Sequence, residues 1–299
     1  MTSFLRNRSS ATRRALALAS FVFTATVMVN AQNPPTPSGS PEIPPQASVR
    51  QDTPLDPKLP TVFVVGDSTA RNGANLGWGD HFANYFDTTK VNVANRARAG
   101  RSSRTFINEG AWDKVMAELK PGDYVLLQWG QNDGGDLAGT KPRGSLKGIG
   151  EETKDVPQTT GPLAGTTETI HTFGWYNRKY IADIESKGAT PMILSTTIRN
   201  IWKPDANGTL RVERDFGYDG PAKQIADAAH IQFIDMGTVE ADRLEATGKD
   251  VVKPLFPIDI VHTSPEGAEL NAQSVVIALK RANSPLVKYL NPAGVALKQ

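Results

Sequence analysis

The 299-residue chain contains no cysteine. That excludes a thiol nucleophile, iron–sulfur ligation by cysteine and thiolate zinc sites. It also leaves the folded part without disulfides, so its stability must come from the core. Histidine is scarce, with four in all, and His81, His171 and His230 form no ligand-spaced motif; no metal site is expected. The apolar run Ala15–Val29 falls short of the ~20 residues that cross a bilayer. Basic and acidic side chains nearly balance at +2, so nothing suggests a nucleic-acid footprint.

What is present begins with Arg6, Arg8, Arg13 and Arg14 ahead of that apolar run, followed by the small-residue site Val29-Asn30-Ala31. This is the pattern of a secretory signal peptide over residues 1–31, and it predicts a periplasmic or extracellular protein with no membrane attachment after cleavage. An uncleaved anchor is the alternative. The segment holds four arginines and no acid, leaving 29 basic and 31 acidic side chains beyond it. Residues 32–60 are rich in Pro, Ser and Gln and read as an extended linker. One domain is expected over 61–299.

Thr61-Val-Phe-Val-Val65 reads as a buried strand, and Gly66 lets the chain turn. Strands are expected again at Val91–Asn95, Asp123–Trp129, Pro191–Thr196 and Ile231–Asp235. Helices are expected at Trp78–Phe86, Trp112–Leu119, Thr169–Ser186, Pro221–His230 and 265–281. Residues 134–167 are polar and Gly-rich with little periodicity, which predicts a long loop. Five strands with crossover helices imply an α/β fold, a parallel sheet covered on both faces.

Four places fall where such a sheet gathers the loops at its carboxyl edge, the edge where ligands bind. Ser68 follows the first strand, placed as a nucleophile or, more plainly, as a helix cap. Gly100, in Arg98-Ala-Gly-Arg-Ser-Ser-Arg-Thr-Phe106, leaves its amide open to an oxyanion or simply makes a turn. Asn132, in Trp129-Gly-Gln-Asn-Asp133, offers a side-chain donor or a turn. Asp259 and His262 are three apart, so the carboxylate can hold the ring through Nδ1–H and leave Nε2 as a base. A metal pair is the other use of that spacing. Thr263 and Glu266 have capping-box spacing and Pro265 suits a first turn, so a helix should start just beyond His262.

Together these blocks resemble the SGNH, or GDSL-type, hydrolase superfamily. The match runs in order from Val62 to about Leu279: Gly66-Asp67-Ser68, Gly100, Gly130-x-Asn132-Asp133 and Asp259-x-x-His262. Gly66-Asp-Ser-Thr-Ala70, Gly100-Arg-Ser-Ser-Arg-Thr-Phe106 and His262-Thr-Ser-Pro-x-Gly267 look most like the rhamnogalacturonan acetylesterase branch. The resemblance implies a flavodoxin-like three-layer α/β/α fold with a five-stranded sheet. It implies a serine esterase that removes acetyl groups from pectic polysaccharide with no metal or organic cofactor. Carried onto this chain, Ser68 is the nucleophile, His262 the base and Asp259 its orienter. The Ser68 and Gly100 amides and the Asn132 side chain make the oxyanion hole. Two departures stand out: Thr69 where the superfamily's short name has Leu, as is usual in this branch, and Gln131 where the branch often has His.

The expected partner is an acetylated polysaccharide. Arg71, Arg98, Arg101 and Arg104 gather near the first two blocks, either to bind uronate carboxylates or to hold loops by salt bridges. Arg101, Arg104 and Gln131 are candidate substrate contacts. Trp78, Trp129 and Trp202 offer sugar-stacking faces, Trp202 the best placed and Trp129 more suited to the core. Acetylated xylan or a small ester would use the same site. A catalytically dead carbohydrate-binding protein and a flavin-binding flavodoxin-like protein share the fold class, but the first needs no Ser68–His262 pair. In the second, Asp67 is a poor neighbour for phosphate.

Overall fold

The computed structural model describes residues 54–298. The expected leader at 1–31 and all but 54–60 of the expected linker lie outside the described residues.

The first strand, β1, is Thr61–Gly66, and all six residues are buried. Then come α1 (Trp78–His81), β2 (Asn92–Asn95), α2 (Ser103–Asn108), α3 (Ala111–Glu118) and β3 (Tyr124–Gln128). A hairpin of β4 (Thr153–Pro157) and β5 (Thr167–His171) leads into α4 (Phe173–Ser186) and β6 (Thr190–Leu194). A second hairpin, β7 (Trp202–Pro204) and β8 (Leu210–Val212), precedes α5 (Asp219–Ala228) and β9 (Gln232–Ile234). The chain ends with α6 (Met236–Thr247), α7 (Lys249–Val252), α8 (Pro265–Arg281) and α9 (Pro292–Ala296).

Strands β2, β1, β3, β6 and β9 lie side by side in that order, every pair parallel. This is the flavodoxin-like order. Side chains alternate across β1 and β3, so each strand feeds two cores. Val62, Val64 and Leu126 pack with residues of α1, α6 and α8 on one face. Phe63, Val65, Val125 and Leu127 pack with residues of α2, α3, α4 and α5 on the other. Each fully buried side chain of this size contributes about 1.5–3 kcal/mol, so the two middle strands form a stiff platform under their own carboxyl-end loops.

Three expectations change. Residues 134–167 are not one loop, and the helix expected from Thr169 starts only at Phe173. The stretch before it is the β4–β5 hairpin, in whose strands only Val156 and Ile170 are buried. A strand exposed on both faces carries no apolar alternation to read. Helix α8 spans 265–281 as expected, but its cap is Ser264, whose Oγ accepts the Gly267 amide. The Thr263 hydroxyl instead donates to the Leu76 carbonyl at 3.0 Å. No helix of the described residues is long and apolar enough to cross a membrane.

Candidate active site

The loop after β1 is shaped by Asp67. Its Oδ1 accepts the Thr69 amide and lies 2.9 Å from the Thr69 hydroxyl, while its carbonyl accepts the amides of Ala70 and Arg71. Thr69 therefore has a use that Leu lacks: its hydroxyl braces the turn. Burial pushes the Asp67 carboxyl up to about 6, against the Thr69 hydrogen bonds and the nearby His262, which pull it down. Ser68 rides on this turn, largely buried at 7% exposure.

His262 reaches Ser68 from the loop before α8. Its Nε2 stands 2.9 Å from Ser68 Oγ, and its Nδ1 stands 2.7 Å from Asp259 Oδ2. Asp259 Oδ1 accepts the amides of Val261 and His262 at 2.7 and 2.8 Å. Its slight burial raises the carboxyl, but these hydrogen bonds outweigh that and hold it at about 2. An ionised carboxylate only accepts, so Nδ1 carries the ring proton and Nε2 is left to accept from the serine hydroxyl. The expected trio is thus in contact across 194 residues of sequence.

Gly100 lies in the left-handed region at φ 77°, in a turn closed by the Arg101 amide on the Arg98 carbonyl. The Asn132 side chain donates to the Arg101 carbonyl at 2.8 Å. That bond ties the loops after β2 and β3 together and leaves the second Nδ2 proton for a ligand. The Ser68 and Gly100 amides donate to no protein acceptor among the described residues. Under Asn132, Asp133 is fully buried, accepts the Ser103 hydroxyl, the Gly130 amide and the Ser145 hydroxyl, and is pushed by burial up to about 6.

The remaining candidates are placed otherwise. Arg104 is buried, donates to the Leu137 and Pro142 carbonyls and faces Glu168 at 3.6 Å. Arg101 Nε donates to Glu109 at 2.7 Å. Arg71 donates to the Asn95 carbonyl at 2.6 Å. These arginines of the first two blocks hold loops, as the salt-bridge alternative anticipated. Trp78 and Trp129 are buried in the two cores, which removes Trp78 as a stacking face. Trp202 packs on a third cluster with Ile198, Val212 and Leu244 and lines neither cleft that borders Gly100 or Asn132. Gln131 donates to the Thr197 carbonyl at 2.8 Å and accepts from Arg199 Nε at 2.9 Å, so it orients a cation.

Sequence reading missed three cations, Arg143, Lys147 and Arg199, which line the cleft beside Asn132 with Phe216 and Tyr218. They come from the stretch after β3 and the stretch after β6, far apart in the chain, and no spacing rule connects them. Among the described residues no three His, Cys, Asp or Glu side chains gather as metal ligands.

Residues 62–275 match the model of the GDSL-like Lipase/Acylhydrolase family. The chain belongs to this family. It is accordingly a carboxylic-ester hydrolase. It is 34% identical over 221 residues to a rhamnogalacturonan acetylesterase of Emericella nidulans, covering 73% of this chain and 84% of that one. It is 27% identical over 249 residues to the rhamnogalacturonan acetylesterase RhgT of Bacillus subtilis, covering 77% and 93%. The solved structure of the Bacillus subtilis protein YxiM has the same fold, with a TM-score of 0.57 at 22% identity. The match covers 76% of this chain but only 57% of the YxiM chain.

Proposed function

We propose that the protein is an exported acetylesterase that removes acetyl groups from rhamnogalacturonan-type pectic polysaccharide. The observation that carries this is the Ser68–His262–Asp259 chain of contacts, at 2.9 and 2.7 Å, in a chain 34% identical to a protein named for that activity. The leader-like residues 1–31 support export.

In this reading Ser68 Oγ attacks the acetyl carbonyl carbon as its proton passes to His262 Nε2. The carbonyl oxygen becomes an oxyanion among the Ser68 and Gly100 amides and the one remaining Asn132 Nδ2 proton. Collapse breaks the ester C–O bond, and the sugar oxygen leaves with the proton from His262. Water then gives its proton to His262 and attacks the acetyl-serine. Acetate departs and Ser68 regains its proton. Asp259, ionised throughout, keeps the ring in the one useful tautomer.

The test is acetate release from acetylated rhamnogalacturonan, with acetylated xylan and a chromogenic acetate in parallel, by wild type and Ser68→Ala. Release from the pectic polymer that vanishes in Ser68→Ala is expected. Activity on the other two substrates alone would remove the pectin assignment, and activity that survives Ser68→Ala would remove the nucleophile.

A further inference from the structure

Arg143 makes no hydrogen bond or ion pair among the described residues. It lines both the cleft bordering Gly100 and the cleft bordering Asn132. Its Nη1 lies 3.8 Å from where a Cβ on Gly100 would stand. The Asn132 cleft encloses about 450 Å³ and also presents Lys147 and Arg199, and no Asp or Glu lines it. Arg199 is fixed there by Gln131 and by the Phe216 ring, with its guanidinium carbon 4.6 Å from the ring centre. The Tyr218 hydroxyl is buried without a hydrogen-bond partner, and it would stand 3.2 Å from a Cβ on Gly134 at the cleft wall.

The neighbouring cleft is different. There Arg101 and Arg104 face Glu109 and Glu168, so much of its positive charge is already answered within the protein. Three cations around one hollow repel one another, and a bound anion relieves that repulsion. A guanidinium free of protein acceptors suits a carboxylate, which takes two parallel N–H bonds from it. A buried donor without a partner gains a hydrogen bond when a hydroxyl-rich ligand arrives.

We propose that the Asn132 cleft is a subsite for the carboxylate of a uronic acid residue, adjacent to the acetylated sugar at Ser68. Arg143 is its principal ligand, Lys147 and Arg199 supply supporting charge, and Tyr218 donates to a sugar hydroxyl. The inference rests on the esterase reading above and adds to it a charged group that the enzyme recognises in the polymer.

The experiment measures binding to the full chain carrying Ser68→Ala, so that no turnover intervenes. Calorimetry compares a deacetylated rhamnose–galacturonic acid oligosaccharide, the same oligosaccharide with its carboxyls reduced to alcohols, and a xylo-oligosaccharide. The acidic form is expected to bind about tenfold more tightly than the reduced form, with the advantage shrinking in high salt. Adding Arg143→Gln should bring the acidic form to the level of the reduced one. Arg143→Lys should fall between, since it keeps the charge but loses the fork. Lys147→Gln, at an exposed position, gives a second and smaller loss that does not depend on how Arg143→Gln folds. Equal binding of acidic and reduced forms overturns the subsite, as does a preference that persists in both variants. Ser68-dependent acetate release without uronate preference overturns this inference alone; uronate preference without release from any ester overturns the esterase reading alone.

Discussion

Asp259 holds His262 at two points: Oδ1 accepts the His262 amide at 2.8 Å while Oδ2 stands 2.7 Å from the ring Nδ1. The ring's height and its tautomer are thus set by one carboxylate. That carboxylate is held at about 2, so it stays ionised at any pH where an imidazole is a base. Asp259→Asn should lower kcat by about 10²–10⁴, since the amide no longer enforces the Nδ1–H tautomer. The loss should persist across pH 6 to 9. A pH–rate profile for Asp259→Asn that recovers wild-type rates in alkali would sink the assignment. Its contribution to stability is present above the ordinary carboxylate value and lost only as pH falls towards about 2.

Asn132 is oriented by the Arg101 carbonyl and has one side-chain proton left over. Loss of a single oxyanion donor typically costs about 10²–10³ in rate. Asn132→Ala should therefore lower kcat by that factor on acetylated polymer and chromogenic acetate alike, with little change in KM. A rise in KM at constant kcat would assign Asn132 to substrate binding instead.

Glu240 is fully buried and accepts the Ile198 amide at 2.9 Å. Burial raises its carboxyl to about 8, against the pull of that amide and of Arg243. Asp67, Asp133 and Asp219 are raised to about 6, again chiefly by burial. Each binds its proton more tightly folded than unfolded. Stability should fall as pH rises from about 4 through 8. Glu240→Gln removes the ionised form and should flatten the decline of Tm between pH 6 and 8. An unchanged slope in the variant, followed by calorimetry, would count against it.

Behind the site, His81 Nδ1 lies 2.7 Å from Glu269 and Nε2 lies 2.8 Å from the Asn75 carbonyl. Both nitrogens face acceptors, an arrangement that favours the doubly protonated ring. Burial disfavours that cation, but Glu269 and Asn75 outweigh it and raise the His81 value. The pair anchors the loop whose Leu76 carbonyl meets Thr263, next to His262. His81→Leu leaves the buried Glu269 carboxylate without its cation, with the Tyr85 hydroxyl still donating to it, and should cost about 3–5 kcal/mol, read by urea denaturation near pH 6. The pair's contribution is full below the ordinary imidazole value and declines as pH rises through the raised one. A cost under about 1 kcal/mol would show that Glu269 finds other partners.

Much of this was legible in one dimension. The apolar runs of β1, β3 and β6 announced a sheet buried on both faces, because such strands need no alternation. Ser68, Gly100 and Asn132 were named from turns at strand ends, where chain order puts them on one edge; Asp259 and His262, two helices beyond β9, were named from their spacing ahead of α8 and from the family resemblance. The β4–β5 hairpin was not legible, because strands that bury almost nothing leave no apolar pattern. Nor was the cap of α8, since Thr263 and Ser264 can both cap, and the Thr263 hydroxyl is taken by the Leu76 carbonyl.

The sheet and the order of its loops were already readable along the chain. Those follow from short-range backbone preferences and from apolar periodicity. Which charges are already answered emerged only in three dimensions. Arg101 and Arg104 look available on paper but meet Glu109 and Glu168 in space. Arg143, unremarkable in a Gly-rich stretch, makes no ion pair among the described residues. An ion pair depends on distance between side chains, and two chain positions fix that distance only after the fold has brought them together.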